Sequence, residues 1–546
     1  MPIEATVRYE SLAGFNAIWT SAAEGADSLR QLFLRMAAEP ESVEAACEAQ
    51  LAQPRDWRAL AEVLESEGKR YGVPLTAPSR LETLAAGKAV AVVTAQQVGY
   101  LGGPFYTFLK AFHCVRLASA LEARLRIPVL PVFWLEGEDH DLAEVADSYY
   151  LEENGEIGHV TFSPEQPLAN FEVGHYVVSP AVSQHIDILA SGIGEHCDAE
   201  ARSLLEECYA GRTLSEGMGR LLARLLGERG LFVIEGGTPT LKKMAAPLWA
   251  RIIEVGPALH KLLYGRDILL SKLGFAPLLS PTPSAYLFYL TGREPIRQVI
   301  GYDGTLRNPD GKEGTLTLNE LRDRVTSHPE DLSPKAALRP LYQDFVLPTV
   351  AYVAGQDEIA YHAQIQPFYT TLSVVAPTLF PRLSVTLVDE KVMRLSQKVG
   401  LGLRDVLRSD FDALSAQIIE APGGNSITAS LQETRNKLQE AMTTLKESLG
   451  ELDPTLQDSA AVSLGKMLHL LDEIEEKVRR AQKQKHAVTL QRLRKVFSAL
   501  KPRGLLNERG LSTAYFLLRY GKERLFAALD EVPLNGKRHA IVLLAN

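Results

Sequence analysis

Two short apolar runs on either side of one helical stretch constrain the fold of this chain more than any other feature. Residues 88–94 read KAVAVVT, residues 128–135 read PVLPVFWL, and the stretch Pro104–Arg124 between them has helical spacing. Continuous apolar runs of this length are typical of strands that are covered on both faces of a parallel sheet. Strand, helix and strand in this order predict a βαβ unit with a right-handed crossover.

Similar runs recur along the chain, so we expect a larger sheet. The predicted strands are Gly230–Glu235, Ala285–Leu290, Phe345–Ala354 and Leu383–Val388, and the predicted helices between them are Leu214–Arg229 and Leu241–Leu263. Turn signals at residues 302–304 and 308–311 predict a β-hairpin insertion within Ile296–Leu318. The fold class is therefore predicted as α/β, with a parallel sheet that insertions interrupt.

The flanking regions have a different, helical pattern. Residues 1–85, including Asp27–Met36, have apolar residues at helical spacing and no strand-like run. Two narrow apolar stripes, from Ile427 to Leu452 and from Met467 to Val488, are separated by Asp453-Pro454. They predict two antiparallel helices in a coiled-coil arm, whereas helices lying flat on the core would need a wider stripe. We expect a helical N-terminal segment (1–85), a core (86–400), a helical arm (401–503) and a C-terminal segment packing back on the core (504–546).

Composition excludes several classes of protein. The 546 residues carry a formal net charge of −9, which argues against a nucleic-acid-binding protein with a broad phosphate-facing surface. No stretch approaches the ~20 apolar residues of a membrane span, and the N-terminus lacks the pattern of a secretory signal. The four scattered cysteines fit reduced thiols of a cytoplasmic protein, and the spacing of His196, Cys197 and Cys208 matches no standard zinc site.

Ligands of a parallel sheet bind beyond the carboxyl ends of its strands, so the loops that follow the strands are the candidate site. After the first strand come Gln96 and Gln97, then Gly102-Gly103 before a helix that carries Tyr106 and Lys110. The glycines would allow close approach of a ligand, and the helix start would favour a phosphate or carboxylate. A plain helix start is the alternative, since the segment is neither a dinucleotide-binding fingerprint nor a Walker A loop.

The loop after the second strand, Glu136–Asp141 (EGEDHD), contains a histidine and three carboxylates besides Glu136. Such a cluster can hold a divalent cation, bind an amino group or tune a histidine for proton transfer. The alternative is that Asp139 or Asp141 caps the helix that follows. We interpret Asp139, His140 and Asp141 as the candidate catalytic residues.

Later loops supply the remaining candidates. Gln356 and Asp357 follow a strand-like run, and Arg339 and Arg382 could each bind a carboxylate through two parallel hydrogen bonds, although a single arginine is often structural. The loop Glu235–Pro239 suits a binding loop and a helix start equally well.

Together these segments resemble one family. TAQQVGYLGGPFYTFLKA, PVFWLEGEDHDLAEV and LRPLYQDFVLPTVAYVAGQDEIAYHAQ are similar to long motifs of the cysteine-adding enzymes of bacillithiol biosynthesis, and FPRLSVTLV and Leu506–Arg509 (LNER) resemble two shorter ones. Two departures stand out. Ala95 replaces a usual glycine, and Ala354–Asp357 (AGQD) stands where the family tends to have GGPG.

The resemblance implies a Rossmann-like core with connective insertions, a coiled-coil domain and a homodimer. It also implies a ligase that adds L-cysteine to the amine of glucosaminyl-malate. On this hypothesis an ATP-type nucleotide activates cysteine's carboxylate, and the Gln96–Tyr106 loop holds an anionic group. His140 or Asp141 accepts the proton, Asp139 orients the amine or a metal, and Arg339 or Arg382 pairs with substrate carboxylates.

The activation chemistry stays open. The chain has no HxGH motif, and Leu270-Ser271-Lys272 is too short for a KMSKS loop, so an aminoacyl-adenylate is an analogy. A nucleotidyltransferase acting on a phosphate ester is one alternative. A non-catalytic scaffold is another, and it predicts that the loops after the strands need not converge.

Overall fold

The computed structural model describes residues 3–37, 41–74, 78–168, 171–194, 197–281, 286–291, 296–300, 305–307, 313–419 and 425–544. The chain divides into two units. The first comprises Met1–Val388 with Leu505–Asn546, and the second comprises Asp389–Gly504.

The first unit is built around a five-stranded sheet in which every pairing is parallel. The strand order across the sheet is Thr378–Pro381, Thr349–Ala354, Val90–Gln97, Val129–Glu136, Phe232–Glu235. The chain moves outward to one side from Val90–Gln97 and later returns to fill the other side. The order therefore reverses between Val90–Gln97 and Thr349–Ala354, which is where a sheet of this kind binds ligands. The predicted α/β class and Rossmann-like core are confirmed.

Both faces of the sheet are covered, as the unbroken apolar runs predicted. On the strand Val90–Gln97, Val90 and Val92 pack into one cluster of buried residues, whereas Ala91 and Val93 pack into another. The helices around the sheet are Ser42–Ala52, Trp57–Tyr71, Pro78–Ala85, Phe105–Leu125, Pro239–Met244, Ala246–Lys272, Arg339–Val346 and Gln356–Leu372. The predicted strand Phe345–Ala354 is shorter than expected, because its first residues end the helix Arg339–Val346.

Two further sheets contain the other predicted strands. Leu287–Thr291 lies in an antiparallel sheet with Ile296–Ile300, Thr305–Arg307, Glu313–Thr315 and Leu332–Pro334. The helix Leu318–Ser327 lies in sequence between the last two of these strands. The antiparallel pairing of Ile296–Ile300, Thr305–Arg307 and Glu313–Thr315 agrees with the predicted hairpin. Ala285 and the two predicted turns, at residues 302–304 and 308–311, lie outside the described residues.

The third sheet corrects the prediction for the chain's two ends. Ile3–Val7 and His539–Leu544 pair antiparallel, next to Val385–Asp389. The N-terminal segment is thus not wholly helical, although it also contains the helix Ala17–Glu24. Asp27–Met36 is not one helix either, since only Asp27–Leu29 forms a 3₁₀ turn. The apolar spacing of this segment nevertheless indicated correctly which side chains are buried, namely Leu29, Leu32, Phe33 and Met36.

An insertion between the second and third core strands completes the first unit, together with the C-terminal helices. The insertion contains the helix Leu142–Val145, the paired strands Asp147–Leu151 and Ile157–Thr161, and the helices Val182–Ile193, Ala199–Tyr209 and Leu214–Leu226. The C-terminal helices are Asn507–Gly510, Thr513–Tyr520 and Lys522–Asp530.

The second unit is helical. Its helices are Glu390–Val399, Leu403–Arg408, Phe411–Ile419, Asn425–Leu452, Pro454–Lys485 and Ala487–Leu500. Arg435 on one long helix lies 2.6 Å from Asp472 on the next. Because these residues are almost equally far from Asp453-Pro454, the two helices run antiparallel, and the predicted coiled-coil domain is confirmed. Among the described residues, no helix is both long enough and apolar enough to cross a membrane.

Candidate active site

A cavity of about 500 Å³ lies at the point where the strand order of the parallel sheet reverses. This size is usual for a small-molecule site, for which ~300–1,000 Å³ is typical. Ten of the thirteen candidate residues line it: Gln96, Gln97, Tyr106, Lys110, Asp139, His140, Arg339, Gln356, Asp357 and Arg382. The loops after separate strands therefore converge, which the scaffold alternative did not require.

Lys110 is buried beneath the cavity with its three N–H donors engaged. Its Nζ donates to the carbonyl oxygen of Ala95, to Gln96 Oε1 at 3.2 Å and to Glu358 Oε2 at 2.6 Å. Burial lowers the pKa of Lys110, and Glu358 opposes that change. An ammonium whose three donors are all engaged positions its neighbours and has little left for a ligand. Lys110 thus fixes Gln96 and Glu358.

Gly102 and Gly103 do not line the cavity. Both have positive φ, and a Cβ on Gly102 would come within 2.9 Å of Thr513 Cβ. The amide of Gly102 donates to Tyr209 Oη, and the amide of Phe105, at the helix start, donates to the carbonyl oxygen of Leu511. These glycines therefore serve backbone conformation and close packing, as the plain helix-start alternative predicted, and not contact with an anion.

The acidic loop divides between the cavity and the interior. Asp139 Oδ1 lies 3.4 Å from His140 Nδ1, and the other carboxylate oxygen accepts a hydrogen bond from Gln97 Nε2. Asp141 does not line the cavity, because it caps the helix Leu142–Val145 by accepting from the amide of Ala143 at 3.1 Å.

Glu138, from the same loop, is buried elsewhere. It pairs with Lys242 and accepts a hydrogen bond from Ser333 Oγ at 3.2 Å. Glu235, in the loop that was ambiguous from sequence, likewise accepts from Ser215 Oγ at 2.5 Å and from Arg70 at 3.0 Å, and it does not line the cavity. Within the described part of the chain, no group of three or more His, Cys, Asp or Glu side chains could hold a metal ion.

Glu358 is a functional candidate that the sequence did not single out. Its carboxylate accepts from Tyr352 Oη at 2.5 Å and from the amide of Gly355 at 2.5 Å, in addition to Lys110. Burial alone would raise the pKa of Glu358, but Lys110 lowers it below its ordinary value, so the group stays ionised.

Arg339 lies beside this network and is also engaged by protein groups. It donates to Tyr361 Oη at 3.0 Å and to Gln343 Oε1 at 3.3 Å, and its Nε lies 3.7 Å from Glu136 Oε2. Next to it in the cavity, Gln356 Oε1 is buried and has no hydrogen-bond partner among the described residues. This amide oxygen is available to a donor on a ligand.

Arg382 forms a buried ion pair with Glu508, at 2.7 Å, and donates to the carbonyl oxygen of Leu383. Burial alone would raise the pKa of Glu508, but Arg382 lowers it, and the pKa ends below its ordinary value. The guanidinium also lies 5.3 Å from the centre of the Tyr106 ring. Arg382 is thus held in place by the protein and adds positive charge behind Tyr106.

Arg509 is the more accessible cation of the cavity, and it too was missed as a site residue. It lies 5.6 Å from the centre of the Tyr106 ring, and its ion pair with Asp357 is long, at 3.8 Å. The sequence signal that could have identified Arg509 was the segment LNER. Its Glu508 pairs with Arg382, and its Arg509 lines the cavity. Asn507 of the same segment donates to the carbonyl oxygen of Leu387.

Comparison with known families finds two domain descriptions that together cover almost all of residues 4–544. Residues 4–383 match the family described as "Bacillithiol biosynthesis BshC, N-terminal Rossmann-like domain". Residues 385–544 match "Bacillithiol biosynthesis BshC, C-terminal coiled-coil domain".

Individual relatives are similar over nearly the same length. A protein of Geobacillus thermodenitrificans is 29% identical over 498 residues, covering 90% of this chain and 91% of that protein. A protein of Salinibacter ruber is 30% identical over 499 residues, covering 91% and 89%. A third, from Koribacter versatilis, is 30% identical over 484 residues, covering 88% of each. All three carry the name "Putative cysteine ligase BshC". The Rossmann-like core, the coiled-coil domain and these relatives show that this chain belongs to the BshC family of bacillithiol biosynthesis.

Proposed function

We propose that this protein is a ligase that joins the carboxyl group of L-cysteine to the amine of glucosaminyl-malate. The family match and the name of the relatives as cysteine ligases support an amide-forming reaction. The observation that carries the proposal is a histidine–carboxylate pair and an accessible arginine in one cavity at the carboxyl edge of the parallel sheet.

His140 is the proposed proton acceptor. Asp139 lies against its Nδ1 and is itself held by Gln97, so the histidine's Nε2 is left for a substrate. We assign this role to His140 and not to Asp141, because Asp141 caps a helix and does not line the cavity.

The reaction needs an activated acyl group, since a carboxylate is a poor acceptor for an amine. An ATP-type nucleotide is the proposed activator, and it would supply the leaving group. Gln356 Oε1, which has no hydrogen-bond partner within the described part of the chain, suits a donor such as the amino group of a base. When the amine nitrogen attacks the carbonyl carbon, the leaving group departs with one carboxylate oxygen, and the ammonium proton passes to His140.

Arg509 is the proposed binding residue for the malate carboxylates. Arg339 and Arg382 were predicted for this role, but both donate to protein acceptors that fix their orientation. Arg509 lies over the Tyr106 ring, and its one ion pair among the described residues is the long contact to Asp357, so it can turn toward a ligand. A guanidinium can donate to both oxygens of a carboxylate at once.

Two wider properties belong to the same proposal. We propose a homodimer, which the coiled-coil domain supports, because paired helices with exposed apolar positions such as Ile474 and Leu470 suit further helix packing. The proposed location is the cytoplasm, where the four free cysteines stay reduced.

The test combines a reconstituted assay with thiol profiling. Purified protein is incubated with L-cysteine, glucosaminyl-malate and ATP, and the amide product is sought by mass spectrometry. We expect His140→Asn to reduce the rate by about 100-fold, in the range of lost general-base catalysis. His328→Asn, at an exposed histidine that does not line the cavity, should leave it unchanged.

The cellular arm uses a host that lacks this protein. Accumulated glucosaminyl-malate without bacillithiol, restored by the wild-type chain and not by His140→Asn, would support the ligase. Unchanged thiols would refute it. Release of a nucleotide product without an amide would favour the nucleotidyltransferase alternative instead.

A further inference from the structure

A second cavity, of about 440 Å³, lies in the first unit and shares no lining residue with the candidate active site. Its walls come from the end of the helix Trp57–Tyr71, the end of the helix Ala199–Tyr209 and the helix Leu214–Leu226. The volume is again within the ~300–1,000 Å³ usual for small-molecule sites. The proposed ligase reaction gives this cavity no role.

Three arginines set its charge. Arg212, Arg220 and Arg224 line the cavity, and Glu207 is the carboxylate among its lining residues. Three guanidiniums against one carboxylate leave a formal excess of two positive charges. Such an excess in a recess with low-dielectric walls attracts anions.

The carboxylate neutralises these arginines only weakly. Arg224 lies 3.5 Å from Glu207, and both side chains are more than half exposed, so water screens the pair. Arg212 Nε reaches the backbone carbonyl of Glu207 only at 3.5 Å. Arg220 Nε is buried and has no hydrogen-bond partner among the described residues. A buried N–H without an acceptor is costly, and a ligand oxygen would satisfy it.

The remaining polar wall does not offer a nucleophile. Cys208 is buried, and burial raises the pKa of its thiol to about 11, although the three arginines oppose that change. The thiol is therefore protonated near neutral pH and contributes no negative charge. The wall and the arginines together suit binding and not covalent chemistry.

We propose that this cavity binds a phosphorylated small molecule, whose phosphate groups contact Arg220, Arg224 and Arg212. Arginine is suited to phosphate because its planar N–H groups match two phosphate oxygens, and three guanidiniums can share the charge of a diphosphate. Arg220 Nε supplies the buried contact, and Arg224 and Arg212 donate to the outer oxygens.

The test measures binding of pyrophosphate, inorganic phosphate and succinate to the full-length protein by isothermal titration calorimetry. Pyrophosphate should bind with the highest affinity of the three. Arg220→Gln and Arg224→Gln should each weaken pyrophosphate binding at least tenfold. Arg58→Gln removes an exposed arginine that lines neither cavity and serves as the control. The urea-unfolding midpoint of each variant establishes that it is folded.

Arg509→Gln separates this proposal from the candidate active site. If Arg509→Gln abolishes pyrophosphate binding and Arg220→Gln does not change it, the anion binds in the first cavity and the inference is wrong. Equal affinity for succinate would also overturn it, since a dicarboxylate would then be the preferred chemistry as much as a phosphate. Loss of amide formation in His140→Asn bears on the ligase proposal alone.

Discussion

Two groups of residues in the candidate active site have opposite environments. The floor, which we define as Lys110, Glu358, Arg382 and Glu508, consists of buried or largely buried groups in direct ion pairs at 2.6 and 2.7 Å. The rim, defined as Gln97, Asp139, His140, Asp357 and Arg509, is more exposed, and its one arginine–carboxylate pair is 3.8 Å long.

This difference indicates a division of labour. A buried charge is costly unless it is paired and hydrogen-bonded, so the floor residues are committed to one another. They hold the strand-end loops in position, and their charges balance one another. Rim residues keep donors and acceptors for a substrate, because water stabilises them while the cavity is empty.

The largest effect should come from breaking a floor pair. Glu508→Gln leaves the guanidinium of Arg382 buried without its counter-charge, and we expect a loss of about 3–5 kcal/mol in the free energy of unfolding. Urea unfolding followed by circular dichroism measures it. Glu10→Gln, which breaks an exposed ion pair with Arg8, is the matched control and should change stability by less than about 1 kcal/mol. Equal midpoints for the two variants would contradict the assignment of Glu508 to the floor.

The second prediction concerns His362, which lies beside the floor and should make the stability of the protein depend on pH. It is buried among the rings of Tyr352, Tyr361 and Tyr369, and neither ring nitrogen has a hydrogen-bond partner among the described residues. Burial lowers the pKa of His362 to about 3, with Glu358 opposing and Arg339 adding to the decrease.

The direction of the pH dependence follows from this shift. Between about pH 6.5 and pH 3 the unfolded chain binds a proton that the folded chain does not, so stability falls as pH falls, by about 1.4 kcal/mol per unit. From pH 7 to pH 5 the wild type should lose about 2 kcal/mol more stability than His362→Phe. His328→Gln, at an exposed site, should retain the wild-type loss. An unchanged pH slope in His362→Phe would show that His362 is hydrated and titrates normally.

The sequence predicted the location of the site better than its internal pairing. The apolar runs fix where parallel strands end, and ten candidate residues chosen from the following loops line one cavity. The pairing could not be predicted, because it joins residues far apart in the chain. Lys110 and Glu358 are 248 positions apart, and Arg382 and Glu508 are 126 apart.

The two wrong secondary-structure predictions have a related cause. Spacing along the chain reports which side chains are buried, and Leu29, Leu32 and Met36 are buried without forming one helix. Likewise Ile3–Val7 and His539–Leu544 are strands because the two ends of the chain meet and supply each other's hydrogen bonds. A short segment does not contain that information.

Arg509 tests the rim. Arg509→Gln should raise the KM for glucosaminyl-malate about tenfold, because a charge-assisted hydrogen bond to a carboxylate is worth about 1.5–3 kcal/mol. The urea midpoint should stay close to that of the wild type, in contrast to Glu508→Gln. Steady-state kinetics with varied glucosaminyl-malate provide the measurement, and Arg30→Gln, at an exposed residue outside the cavity, is the control. A large loss of stability with an unchanged KM would move Arg509 from the rim to the floor.

Substitution of Asp357 should give the smallest effect, and it should change the KM in the direction opposite to that of Arg509→Gln. This carboxylate stands in the segment that departs from the family pattern, and it competes with an anionic ligand for Arg509. Asp357→Asn should therefore lower the KM for glucosaminyl-malate, by about threefold or less, because the exposed pair is worth only about 0–1 kcal/mol. The gain should shrink at high salt, which screens both interactions. It should also be absent in the Arg509→Gln background, since no guanidinium is then released. A higher KM for Asp357→Asn would instead mean that Asp357 contacts the substrate's amine, and the rim would contain a second binding group of the opposite charge.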